Sequence, residues 1–169
     1  MNDKRGYLLM ESSISSKPKV IQDTASSVTF VANLQESSAP NRNGRIYDKD
    51  ALDNALRHYS VAEKLRHKTF YGEAGHPLSE DPKRQMYIDQ RNISHIVTKV
   101  WWEGEMLMGE VETSATEAGR DMRGLIRQGS DVSFSMRGMS DNVTRKGQYM
   151  HVGGPILLCS YDWVQNRTC

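Results

Sequence analysis

Two cysteines in 169 residues, Cys159 and Cys169, are too few and too far from any partner to make a disulfide framework or a paired metal-ligand motif. That scarcity fits a reducing compartment. Long apolar runs are missing as well. The longest, Ile156-Leu157-Leu158-Cys159, falls far short of the roughly 20 residues a membrane-crossing helix needs. Met1 to Lys19 has Lys4 and Arg5 but only Tyr7 to Met10 as an apolar patch, which does not read as a secretory signal core. Nor is there an excess of one charge. Lys plus Arg number 22 and Asp plus Glu 21, and a net charge of +1 makes no electrostatic case for nucleic acid or an acidic membrane. There is no internal repeat, and no H-E-x-x-H motif on a helical stretch.

What is present describes one somewhat polar domain with a real core: 37% hydrophobic and 25% charged residues, and a mean hydropathy of -0.65. Residues 1–27 are rich in serine and poor in periodicity, and are expected to be a flexible or loosely docked arm; residues 28–169 are expected to form the single folded domain. Val28 to Leu34 is predicted as the first strand. Asn43-Gly44 marks a turn, and Asp48 is placed to cap a helix whose apolar stripe is Ala51, Leu52, Ala55, Leu56 and Tyr59. Ile93 to Trp102 and Met106 to Glu112 read as a hairpin turning near Glu103-Gly104. Ser114-Ala115-Thr116-Glu117 fits a capping box before a second helix that buries Ala118, Met122, Leu125 and Ile126 and ends at Gly129. Ser140 to Gln148 reads as a loop or hairpin tip, and Tyr149 to Val152 and Ile156 to Trp163 are the last predicted strands. The class this implies is α+β: a strongly bent or barrel-like sheet with helices outside it.

The chemistry centres on Ser130-Asp131-Val132-Ser133-Phe134-Ser135-Met136-Arg137-Gly138. Alternation puts Val132, Phe134 and Met136 on one face and Ser133, Ser135 and Arg137 on the other, so a buried strand presents two hydroxyls and a cation. Serine is a weak nucleophile without an adjacent base, and His76, in the loop Gly72-Glu73-Ala74-Gly75-His76-Pro77, is the best candidate. A lone loop histidine or strand serine is usually inert. The pair gains meaning from a third group, and Asp162, an acid among apolar neighbours, needs a partner if it is buried. His76 is one such partner; a lysine, an arginine or backbone N–H groups are others, and Asp131 and Glu73 are rival acids. Arg137 and Gly138 are candidates for the oxyanion site, against the plain alternative of a turn after a strand. A zinc site from Glu73, His76 and His95 or His151 has only weak support.

These segments, in order, carry a resemblance. Asn41-Arg42-Asn43-Gly44-Arg45-Ile46-Tyr47, then Gly72-Glu73-Ala74-Gly75-His76-Pro77, Ser94-His95-Ile96-Val97, Val132 to Gly138 and Tyr161-Asp162-Trp163-Val164 together resemble the prohead proteases of tailed bacteriophages, in particular the T4-type prohead core protein proteases. The resemblance runs from about Val28 to Asn166. It implies a herpesvirus-assemblin-like fold, a bent antiparallel β-barrel with surrounding helices. It also implies a serine endopeptidase enclosed in the immature capsid within the host cytoplasm, forming homo-oligomers and needing no cofactor or metal. Its implied partners are phage scaffold or core proteins and the major capsid protein, cut as substrates, with no nucleic acid or membrane partner. By position His76 becomes the base, Ser135 the nucleophile and Asp162 the orienting acid. Members of the family cut after glutamate in Leu/Ile-x-Glu contexts. Leu9-Met10-Glu11 in the arm is accordingly a candidate self-cleavage site, while Leu34-Gln35-Glu36 adjoins a predicted strand. The competing reading is a catalytically silent capsid-assembly scaffold or binding protein of the same fold.

Overall fold

The computed structural model describes residues 6–12 and 15–165; Cys169 lies outside them. In chain order the strands are β1 (Tyr7–Ser12), β2 (Lys19–Asp23), β3 (Val28–Glu36), β4 (Arg45–Tyr47), β5 (Tyr71–Glu73), β6 (Ile93–Glu103), β7 (Met106–Thr113), β8 (Phe134–Ser140), β9 (Val143–Lys146), β10 (Tyr149–Val152) and β11 (Ile156–Trp163). The helices are α1 (Lys49–Arg57), α2 (Tyr59–Arg66), the short α3 (Pro82–Gln85) and α4 (Glu117–Arg127).

Strand pairing follows the side-chain pattern. Val28, Phe30, Ala32 and Leu34 are buried at every second position of β3, which therefore turns one face inward. β3 pairs with β7, and the β6–β7 hairpin turns through Gly104 at φ +61°, a left-handed conformation that glycine adopts without a Cβ penalty. Together they form an antiparallel sheet ordered β2-β3-β7-β6-β5. A second sheet, β1-β8-β11, is crossed by the serine strand at its centre, and a third, β4-β10-β9, contains the parallel pair β4 and β10. The α+β class holds, and the described residues form three open sheets rather than one closed barrel. The first two sheets share a core in which the Phe30 and Phe134 rings stack at 6.3 Å and the Tyr161 ring meets Phe70 edge-on. Full burial of each such side chain contributes roughly 1.5–3 kcal/mol.

The structure corrects the expectation of a flexible arm. β1 pairs along its length with β8, Leu9 is fully buried, and Ser16 exchanges two backbone hydrogen bonds with Val132. An apolar patch of four residues suffices here because β8 would otherwise leave an unpaired edge in the core. The single predicted helix over Ala51 to Tyr59 is in fact two. The chain turns extended at His58, whose ring accepts from the Ser60 N–H and starts α2, leaving Tyr59 75% exposed. Asp48 is the first cap but makes no side-chain capping bond. The cap of α4 is Thr116, which accepts from the Gly119 N–H, while the Ser114 hydroxyl donates to the Ile93 carbonyl. On α4, Met122 and Ile126 are buried and Leu125 is exposed.

Candidate active site

β8 and β11 are antiparallel neighbours in a register that sets Ser135 directly opposite Asp162. His76 reaches this pair from the loop after β5. That loop is held at its start: the Gly75 N–H donates to the Trp163 carbonyl at 2.6 Å, and the Asn92 amide donates to the Ala74 carbonyl. Gly75 itself has φ +82°, the conformation that turns His76 back over the sheet.

The outcome is a hydrogen-bonded row. The Ser135 Oγ lies 2.6 Å from His76 Nε2, and His76 Nδ1 lies 2.8 Å from Asp162 Oδ2. A carboxylate only accepts, so Nδ1 carries the proton and Nε2 keeps its lone pair for the serine hydroxyl. His76 is 11% exposed and Asp162 fully buried. The row opens into a cleft of about 620 Å³ lined by Met10, Asn43, Gly75, His76, Leu78 and Ser135.

Asp162 has histidine, arginine, hydroxyl and backbone N–H partners. Oδ1 accepts from the Glu73 N–H at 3.0 Å, the Ser160 hydroxyl at 2.9 Å and Arg137 Nη2 at 3.3 Å; Oδ2 accepts from His76 and from Arg137 Nε at 2.8 Å. Burial alone pushes its pKa up, but the bond from His76 and the charge of Arg137 outweigh it and hold the carboxyl below its ordinary range. Asp162 is thus an anion at neutral pH.

Arg137 was the missed organising residue. It is fully buried, and besides Asp162 it binds Glu73 Oε2 at 2.7 Å and the carbonyls of Gln85 and Tyr87. Glu73 is in turn held by Arg84 at 2.6 Å and by Asn92. The signal was in the sequence: a cation inside an alternating core strand demands buried anions. This corrects the oxyanion assignment. Arg137 and Gly138 are interior residues of β8 with a strand partner on each side, and the guanidinium is committed to the acids. Gly138 answers a packing demand, since a Cβ there would come within 2.6 Å of the Leu157 carbonyl.

The rival sites do not assemble. Glu73 is enclosed by two arginines. His95 is buried under β8, with Nε2–H donating to the Tyr161 carbonyl at 2.8 Å and Nδ1 accepting from the Ser94 hydroxyl. Among the described residues no group of three or more His, Cys, Asp or Glu side chains could hold a metal ion. Asp131 is exposed.

Glu11 was expected on a flexible arm. It is instead 3% exposed in β1, and its carboxylate is surrounded by the Asn41-Arg42-Asn43-Gly44-Arg45-Ile46-Tyr47 segment. Asn43 Nδ2 donates at 3.0 Å, the Tyr47 hydroxyl at 2.9 Å, and Asn41 and Arg45 complete the ring of donors.

The Peptidase S80 family model matches residues 21–168. The chain belongs to the Peptidase S80 family. Its fold is similar to that of the bacteriophage T4 capsid assembly protease, gp21, with a TM-score of 0.76 at 21% identity over 95% of this chain and 99% of that one. No curated protein matches the chain. Among the described residues of this Peptidase S80 chain, no helix is long and apolar enough to cross a membrane.

Proposed function

We propose that this chain is a serine endopeptidase that matures phage capsids, with Ser135 as nucleophile, His76 as general base and Asp162 as the group that orients the imidazole. The observation that carries this reading is the unbroken row from Ser135 Oγ through His76 to Asp162, with bonds of 2.6 and 2.8 Å. In acylation the Ser135 oxygen bonds to the scissile carbonyl carbon as His76 Nε2 takes its proton. The carbon–nitrogen bond then breaks and the imidazolium returns that proton to the leaving amine. Water, deprotonated by the same nitrogen, hydrolyses the acyl-enzyme. Asp162 stays ionised throughout, and its negative charge favours the imidazolium that forms between the two transfers.

Similarity to the T4 capsid assembly protease supports scaffold, core and capsid proteins of an immature phage capsid as the substrates, and the prohead as the place of action. Cutting after glutamate, and self-processing after Glu11, complete the proposal. The test is to incubate the purified chain with the scaffold and major capsid proteins of its own phage and sequence the new amino termini. Discrete cuts preceded by glutamate are expected. Intact partners after prolonged incubation contradict the reading.

A further inference from the structure

A displacement of about 1 Å can cost a catalytic group roughly 100-fold in rate. Yet His76 sits on the long connection between β5 and β6, and loops are the most mobile parts of a fold. The bonds at Ala74 and Gly75 secure the chain only as far as the histidine. Beyond it they stop: among the described residues, positions 76–80 make no backbone-to-backbone hydrogen bond. One side chain takes their place. Gln85, the last residue of α3, is 1% exposed, and its Nε2 donates to the Pro77 carbonyl at 3.0 Å and to the Ser79 carbonyl at 2.5 Å. Pro77 follows His76 directly, and the two carbonyls flank Leu78, whose side chain is left in solvent at the rim of the cleft.

Gln85 is itself fixed from two directions. Its N–H donates to the Asp81 carbonyl at 3.1 Å inside α3, which the Asp81 carboxylate caps and the Arg84–Glu73 ion pair anchors. Its carbonyl accepts from Arg137 Nη1 at 2.8 Å, and Arg137 is bonded to Asp162. Acid and base are therefore joined twice: directly, from Asp162 to His76 Nδ1, and by a return path from Asp162 through Arg137 and Gln85 to the residue after His76. The direct bond orients the ring; the return path fixes the backbone that carries it. The orientation of the Gln85 amide follows from its neighbours, since the reversed amide would set its oxygen against two carbonyl oxygens. That leaves Oε1 buried without a hydrogen-bond partner among the described residues. A residue serving stability alone gains little from burying an unpaired acceptor, and such a group close behind reacting atoms points to a functional demand.

We propose that Gln85 is the positioning residue of the catalytic base: it fixes the backbone of His76 and Pro77 so that Nε2 stays in reach of the Ser135 hydroxyl while Asp162 holds the other nitrogen. The inference rests on the serine-peptidase reading. Gln85 is not among the residues that line the cleft, so its loss acts on turnover through His76 and not on substrate affinity.

The test uses the full-length chain as wild type, Gln85→Met, Gln85→Asn and Ser135→Ala, with a fluorogenic peptide carrying glutamate before the scissile bond. Methionine is close in volume and removes both donors; asparagine keeps the amide but is one methylene short of the two carbonyls. In both variants kcat is expected to fall roughly 100-fold while KM stays within about twofold of wild type, the pattern of a displaced base with substrate binding intact. The His76 Nδ1 proton, followed by NMR in histidine-labelled chain and assigned by its loss in His76→Ala, supplies the readout that a purely structural role would not move. In the folded Gln85 variants this resonance is expected to broaden or leave its low-field position as the bond to Asp162 loosens. Gln85→Asn keeps the test decisive if Gln85→Met does not fold. A kcat within about threefold of wild type in either folded variant, a loss of kcat with the His76 resonance unmoved, or failure of both variants to fold leaves Gln85 no positioning role and overturns the inference. Peptide turnover that is absent from wild type, or undiminished in Ser135→Ala, overturns the peptidase reading itself.

Discussion

Arg137 and His76 share one acceptor: Arg137 Nε and His76 Nδ1 each lie 2.8 Å from Asp162 Oδ2. The cation that keeps the acid ionised therefore sits beside the base that the acid orients. Arg137 is above its ordinary pKa; burial opposes its charge, but the neighbouring anions Asp162 and Glu73 prevail. Replacing it with Met leaves two buried carboxylates without their shared partner. We expect Arg137→Met to cost roughly 3–5 kcal/mol, the typical penalty for breaking a buried ion pair by removing one side. Denaturant unfolding monitored by tryptophan fluorescence checks this, and a loss below about 1 kcal/mol is inconsistent with a buried ionised trio.

Asp162→Asn tests the orienting role. Donors bond to both oxygens of Asp162, so an amide, with one acceptor oxygen and one NH2, sets its NH2 against a donor, and it offers no charge to the imidazolium. Turnover of a peptide substrate should fall by about 10³–10⁴-fold, the scale found when an orienting acid is neutralised in this kind of row. A fall of less than about tenfold with the fold intact would assign the acid a structural role alone.

His95 gives the fold a specific pH dependence. Burial drives its pKa down to about 4, against an ordinary value of 6.5, despite its bond to the Tyr161 carbonyl. The unfolded chain thus binds a proton near pH 6.5 that the folded chain refuses until about pH 4. Stability accordingly falls as pH drops through that window, by up to about 1.4 kcal/mol per pH unit for one proton. Asp162 adds a loss of the same sign at lower pH, because its depressed folded pKa makes its contribution fade as pH falls through that value. Unfolding free energies measured from pH 7 to 4 should show the His95 slope, and His95→Gln should flatten it.

Gly72 is the tightest point beneath the row. It pairs with His95, and a Cβ there would lie 2.1 Å from His95 Nε2 and 2.4 Å from the Tyr161 carbonyl, next to Asp162. Gly72→Ala has to move β6 or β11. The expected cost is about 1–3 kcal/mol in thermal or denaturant unfolding, accompanied by loss of peptide turnover as Asp162 shifts. An unchanged melting temperature and rate contradict this packing.

Legibility in the sequence divided by interaction range. The β6–β7 hairpin, β10 and β11 were readable because apolar runs and their turn residues lie side by side in the chain. Asp162 could be flagged as an acid needing a partner, and His76 with Ser135 as a base and a hydroxyl, from residue chemistry alone. The docking of β1 was not readable: its partner β8 is over 100 residues away, and Tyr7 to Met10 looks like a stray patch without it. The break at His58 has neither proline nor glycine and depends on one side-chain cap. Gly138 looked like a strand end because its real reason, the nearby Leu157 carbonyl, belongs to another strand.

The account stands or falls on which hydroxyl of the alternating strand attacks. Ser133 and Ser135 are two residues apart, and it is the Ser135 hydroxyl that is bonded to His76. Scaffold cleavage by Ser135→Ala and Ser133→Ala variants, scored by product termini beside wild type, is the most direct measurement. The account predicts that Ser135→Ala is inactive and folded while Ser133→Ala still cuts at the wild-type positions; a cutting Ser135→Ala beside a dead Ser133→Ala contradicts it.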